Sequence, residues 1–159
     1  MKTIIVFDTK TGASQTCAEQ LAQKLNADIA DLRTGVPDIG DYDTIVIGGG
    51  IYGGRFTAPL RKFIKQNFST LQAKNTAYYI CCAEENGYEK YFVANIPQEL
   101  LEKAAAAECL GYCVDLEKAQ GFFIRLVTKL MKKAFESKGK PLYGIKEDQL
   151  ELFAQKIKE

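Results

Sequence analysis

Three loops carry the residues whose types and spacing could do chemistry. The first reads Asp8-Thr9-Lys10-Thr11-Gly12-Ala13-Ser14-Gln15-Thr16 and follows the apolar run Thr3 to Phe7. Gly12 lets the backbone turn tightly, and the helix that must follow offers unpaired N–H groups at the positive end of its dipole. Hydroxyls at Thr9, Thr11 and Ser14 add further donors. Thr9, Lys10, Thr11, Gly12, Ala13 and Ser14 thus form a candidate nest for a phosphate monoester. The Gly-Lys-Ser/Thr ending of a Walker A loop is absent. An ordinary strand-to-helix turn capped by Ser14 or a close neighbour has the same local pattern, so this loop gains meaning only beside the others.

The second loop, Gly48-Gly49-Gly50-Ile51-Tyr52-Gly53-Gly54, satisfies GxGxxG through Gly48, Gly50 and Gly53. The dinucleotide fingerprint is nevertheless rejected. It belongs to the first strand-helix unit and wants an acid about 20 residues on, where this chain has Gln72, Ala73 and Lys74. Five glycines around one aromatic point instead to backbone that closely approaches something flat, with Tyr52 against it. The third loop, Cys82-Ala83-Glu84-Glu85-Asn86-Gly87-Tyr88, offers a second aromatic and another glycine turn. Its acids read most simply as a solvated loop, although they would disfavour a nearby anion by Coulomb repulsion.

The chain has no histidine, which excludes Ser-His-Asp and Cys-His catalysis outright. Its five cysteines (Cys17, Cys81, Cys82, Cys109, Cys113) form no CxxC pair and leave one over in any pairing scheme. Free thiols in a reducing compartment fit better than a disulfide framework, and zinc ligation fits poorly. A bound cofactor is therefore the expected bearer of any chemistry.

The elements that must position these loops alternate from end to end. Thr3 to Phe7, Asp28 to Leu32, Thr44 to Gly48, Thr76 to Ala83 and Cys109 to Val114 read as strands. A helix follows the first strand, with a stripe at Cys17, Ala18, Leu21, Ala22 and Leu25. Pro59 opens a second helix, Pro97 a third that continues through the alanine run to Ala107, and Glu147 to Lys158 a closing one. At 159 residues the expectation is one α/β domain with a parallel sheet and helices on both faces. Ligands in such sheets sit at the carboxyl ends of the strands, where the three loops lie.

With these loops in place the chain resembles the flavodoxin family along nearly its whole length. Thr9-x-Thr11-Gly12-x-Ser14 is similar to that family's phosphate loop, Gly50-Ile51-Tyr52-Gly53 to its second loop, and Gly87-Tyr88-Glu89-Lys90-Tyr91-Phe92 to its third. The stretches TIVIGGGIYGGRFTAPLRKFIKQN and FFIRLVTKLMKKAF resemble the flavodoxin-domain group that contains the bacterial menaquinone-dependent protoporphyrinogen oxidases. The resemblance implies a flavodoxin-like, doubly wound five-stranded sheet of order 2-1-3-4-5 and one non-covalent FMN. The phosphate would be held by residues 9–14. Gly50, Ile51, Tyr52 and Gly53 would cover one side of the ring, while Cys82, Ala83, Glu84, Asn86, Gly87 and Tyr88 approach the other. It implies electron transfer to redox partner proteins or, as the alternative, oxidation of a quinone or porphyrinogen. Classical flavodoxins are markedly acidic, whereas this chain has a net charge of +1.

That charge is unevenly spread. Lys118 to Lys140 holds seven basic residues against Glu136 alone. Within it, Phe123, Leu126, Val127, Leu130, Met131 and Ala134 fall on one face of a basic amphipathic helix over 122–135. The commoner fate of such a face is to pack on the protein's own sheet, leaving the lysines as a patch for an acidic redox partner. The sharper reading lays Phe122, Phe123 and the lysines on an anionic membrane near a quinone pool. Nucleic acid is not an expected partner. The N-terminus is too short in apolar residues for a signal-peptide core, so the expected location is the cytoplasm, with a peripheral place at the inner membrane face under the sharper reading.

Overall fold

A computed structural model describes residues 1–119 and 121–159. The central sheet joins β1 (Thr3–Asp8), β2 (Asp28–Asp31), β3 (Thr44–Gly50), β4 (Asn75–Cys81) and β5 (Ala106–Cys109) in the order β2-β1-β3-β4-β5. Every neighbouring pair is parallel. β1, β3 and β4 are apolar almost without a break because both faces of the sheet are covered. Successive side chains point to opposite sides. On one side Ile5, Phe7, Val46 and Tyr79 meet Cys17 and Leu21 of α1 (Ala13–Leu25) and Leu150 and Phe153 of the last helix (Glu147–Lys158). On the other, Val6, Ile47 and Ile80 meet Leu60 and Phe63 of α2 (Ala58–Gln66) and Leu71 of α3 (Phe68–Ala73). Phe92 of α4 (Glu89–Asn95) and Leu100 of α5 (Gln98–Leu101) complete that side. The strand order reverses between β1 and β3, which brings the phosphate loop and the glycine loop together.

Three expectations are corrected. The helix opened by Pro97 stops at Leu101, and Ala106 to Cys109 form β5. Alanine favours helix, but the Ala105 N–H donates to the Thr76 carbonyl at 2.8 Å and the next residues pair with Ala77 to Ile80. Sheet pairing overrides the local preference. The expected fifth strand, Cys109 to Val114, is broken at Gly111, whose φ of 95° turns the chain out of the sheet. Gly111–Cys113 becomes β6, antiparallel to β7 (Tyr143–Ile145) in a separate ribbon.

The third correction concerns α6 (Phe122–Ser137), which stands between β6 and β7. Its apolar stripe does not pack on the sheet, whose two sides are already occupied by the other helices. Phe122 is 88% exposed, Phe123 71% and Leu130 60%, and only Thr128 of the helix is buried. The final helix is α7 (Glu147–Lys158).

Gly48 marks where packing is tightest. It pairs with Tyr79 across β3 and β4, and a Cβ there would lie 1.8 Å from the Tyr79 ring. Tyr79 is fully buried and its hydroxyl donates to the Ser14 carbonyl of α1 at 2.8 Å. Gly48→Ala is therefore expected to cost about 3 kcal/mol or more, through overpacking of a ring with nowhere to go. Tyr79→Phe should cost about 1 kcal/mol, the worth of one hydrogen bond. Urea denaturation of both variants checks the order; equal, small losses would contradict it.

Candidate functional site

The loop between β1 and α1 is shaped from inside. Gly12, at φ 93°, is the N-cap of α1 and supplies no side chain to its first turn. The Gly12 N–H donates to Thr9 Oγ1 at 2.8 Å, and Ser14 Oγ donates to the Asp8 carbonyl at 2.7 Å. Ser14 is thus no cap, and its hydroxyl is spent on the loop's curvature. The first-turn N–H groups of α1 have no side-chain partner among the described residues, as an anion site requires. Asp8 is buried beneath, accepting from the Thr9 N–H at 2.9 Å and from the Thr57 hydroxyl.

Cations gather round this loop. Lys118 lies directly over Gly12, so that a Cβ there would come within 2.5 Å of its side chain, and its ammonium donates to Thr16 Oγ1 at 3.3 Å. Lys10 and Arg33 line a hollow on the other flank with Asp8, Thr9 and Thr57. Arg33 is held by Asp31, its Nε donating to Oδ1 at 2.9 Å, and this pairing raises the guanidinium's pKa and lowers that of the Asp31 carboxyl.

The glycine loop is a tight turn. Tyr52 and Arg55 exchange backbone hydrogen bonds at 2.8 and 3.2 Å across Gly53 and Gly54, both at positive φ. Such a two-residue turn, with positive φ at both central positions, favours glycine there. It presents Tyr52 back toward the phosphate loop, where its hydroxyl accepts from the Lys10 N–H at 3.0 Å and meets the Thr11 hydroxyl and N–H. Burial raises the Tyr52 pKa against the opposing pull of those donors.

Beyond Tyr52 opens a cleft of about 140 Å³. Of the residues singled out in the sequence, it brings together Thr11, Ala13, Gly50, Ile51, Tyr52, Cys82 and Ala83. Thr9 and Lys10 face the neighbouring hollow, Gly12 lies under Lys118, Ser14 is buried, and Gly53 forms the turn. Glu84, Asn86, Gly87 and Tyr88 do not line the cleft. Glu84 is drawn away by Lys90, at 2.8 Å, and by Tyr91, both of which lower its pKa. The Tyr88 ring sits under Lys146, 5.6 Å from ring centroid to ammonium.

The far wall comes from outside the three loops. Tyr112, Cys113 and Val114 supply part of it from β6 and its continuation, and Thr128 and Met131 supply the rest from α6. No local motif marks these residues. Their signals in the sequence are the concentration of basic charge from Lys118 onward and the apolar stripe that includes Met131, neither of which says what the residues face.

All five cysteines are free and cluster around the end of β4. Cys17 and Cys81 lie 3.7 Å apart, Cys82 and Cys109 3.5 Å. The contact between the two thiols, with burial, pushes Cys82 up, and with the Gly111 N–H and the Lys146 charge the same contact brings Cys109 down to about 6. Titration followed by thiolate absorbance should show a step with a midpoint of about 6. Cys82→Ala should return it toward the ordinary value of about 8.5. No thiolate below pH ~8 in the parent would contradict this pairing.

The flavodoxin domain is the family whose model matches, over residues 4–140. Protoporphyrinogen IX dehydrogenase (quinone) of Escherichia coli (strain K12) is 33% identical over 85 residues, 50% of this chain and 47% of that protein. The chain spans about half the length of the curated relatives it matches. The oxidised flavodoxin 1 of Bacillus cereus superposes with a TM-score of 0.55 at 18% identity, covering 86% of this chain and 98% of that one. A flavoprotein of Lactobacillus acidophilus NCFM, solved in complex with FMN, gives a TM-score of 0.53 at 12% identity over 68% and 92% of the two chains. With the family match extending over most of the sequence and the sheet order in agreement, the chain belongs to the flavodoxin domain family.

Proposed function

We propose that this chain binds one FMN non-covalently and uses it to transfer electrons. The observation that carries this is the uncapped N-terminus of α1, ringed by Lys10, Arg33 and Lys118, opening onto an adjacent cleft lined largely by apolar groups. That arrangement fits a flat apolar ring joined to a terminal phosphate. FMN is also the ligand of the Lactobacillus flavoprotein. The flavin supplies the one- and two-electron chemistry.

The chain's own residues bind and orient. First-turn N–H groups of α1 and the Thr11 hydroxyl hold the phosphate, and the cations offset its charge. Gly50, Ile51, Tyr52, Cys82 and Ala83 bound the ring on the sheet side, and Tyr112 and Met131 close it from the other. No side chain has to act as acid or base for electron transfer.

FMN should bind more tightly than riboflavin by at least the worth of one charge-assisted hydrogen bond, about 1.5–3 kcal/mol. Lys118→Gln should cost FMN about 1 kcal/mol, since the ammonium is solvent-accessible, and cost riboflavin nothing. Fluorescence titrations of both ligands test this, and equal affinities would place the phosphate elsewhere.

Two roles suit such a site: a carrier serving protein partners, or an oxidoreductase acting on a quinone or porphyrinogen, as the name of the Escherichia coli relative says of that protein. The exposed face of α6 favours work at a membrane. No described helix is long and apolar enough to cross one. Yet Phe122, Phe123, Leu126 and Leu130 stand in water beside Arg125, Lys129, Lys132 and Lys133. Charge and exposed apolar surface together suit a peripheral place on an anionic bilayer at the cytoplasmic face, each lysine contributing roughly 1 kcal/mol. The free thiols are compatible with that compartment. Sedimentation should show binding to anionic vesicles at low salt, its loss at high salt, and little binding to neutral vesicles. Phe122→Ser with Phe123→Ser should weaken it severalfold. Absence of binding to anionic vesicles at low salt would leave the soluble carrier.

A further inference from the structure

Thr128 is the one buried residue of α6. It is 2% exposed and lines the cleft beside Met131, opposite the glycine loop and Cys82. A helical threonine ordinarily donates its hydroxyl to the carbonyl four residues earlier, here that of Ile124. Thr128 Oγ1 makes no hydrogen bond to any described residue. The other two buried atoms in that condition, on Gln20 and Tyr78, are not in residues that line the cleft.

A buried hydroxyl without a partner is unfavourable, and valine has nearly the same shape. Neighbouring positions of α6 are already filled by Leu126, Val127 and Leu130, so an apolar residue would suit the helix. What the hydroxyl lacks, a ligand in the cleft can supply. An isoalloxazine is apolar over its faces, but its edge carries carbonyl oxygens and ring nitrogens.

We propose that Thr128 is a cofactor-contact residue, its Oγ1 hydrogen-bonding to the polar edge of the bound flavin ring. This rests on the FMN reading above and extends it to a residue outside the three loops. It also makes α6 two-sided, with one side closing the flavin cleft and the other carrying the exposed phenylalanines. With no partner for it among the described residues, the hydroxyl gains one on binding, and its contribution appears as affinity.

The test compares the parent with Thr128→Val and Thr128→Ser. In the apoprotein, Thr128→Val should raise the urea midpoint, because the unpartnered hydroxyl is gone. The same change should weaken FMN binding roughly three- to tenfold and shift the flavin's midpoint potential. Thr128→Ser should keep the parent's affinity within about twofold and its potential. A merely structural threonine would not give opposite signs for apoprotein stability and FMN affinity. Unchanged affinity and potential in Thr128→Val would overturn the proposal, as would an apoprotein destabilised by that change. A parent that binds no FMN would instead overturn the reading beneath it, and the parent titration alone tells the two apart.

Discussion

The site depends on one constraint beneath it: the contact of Tyr79 with Gly48 on one side and the Ser14 carbonyl on the other. Because Gly48 has no side chain, the Tyr79 ring can cross β3 and reach the first turn of α1. That turn is tied a second time, by Ser14 Oγ to the Asp8 carbonyl at the end of β1. With both bonds made inward, the first-turn N–H groups of α1 are left facing the ligand side. Asp8 and Thr57 add a third tie, from β1 to the N-cap of α2. A helix N-terminus is a good anion site only when it is fixed, since a fraying end loses its aligned donors.

This constraint explains why so much of the sheet and so little of the cleft is legible in the sequence. β1, β3 and β4 are buried on both faces and read as continuous apolar runs. Their following loops stand out by hydroxyl and glycine content, and the switch between β1 and β3 brings two of them together. The glycine density of residues 48–54 reads as a close approach, and the structure resolves it into separate causes. Gly48 makes room for Tyr79, Gly49 for Leu60, and Gly53 and Gly54 adopt positive φ in the turn. The role of Ser14 is less legible. A Ser near a helix start suggests a cap, but Gly12 takes that place and Ser14 bonds backward.

The elements after β4 are harder to read because tertiary pairing decides them. The alanine run becomes β5 through its ladder with β4, and Gly111 diverts what would have been a longer strand into a ribbon with β7. The third loop suggests a second wall at Glu84 to Tyr88. Lys90, Tyr91 and Lys146 hold its polar and aromatic groups elsewhere, and Tyr112 to Val114, Thr128 and Met131 form that wall instead. Helical periodicity identifies α6 correctly but does not say what the stripe faces. Both sides of the sheet are already covered, so Phe123, Leu126 and Leu130 of the stripe are left in water, while Met131 and the helix's single buried residue, Thr128, turn to the cleft.

In the proposed mode of binding, a phosphate sits at the N-terminus of α1, held by backbone donors and nearby cations. Phosphorus NMR of the protein loaded with FMN tests this most directly. The second ionisation of a free phosphate monoester falls at about pH 6. A phosphate held by the N–H groups of the loop, with Lys118 above it, is stabilised as the dianion. Its resonance should be displaced from that of free FMN and should stay constant as pH is lowered through about 6. A bound-state resonance that titrates like free FMN would mean that the phosphate lies in solvent, and would contradict the account.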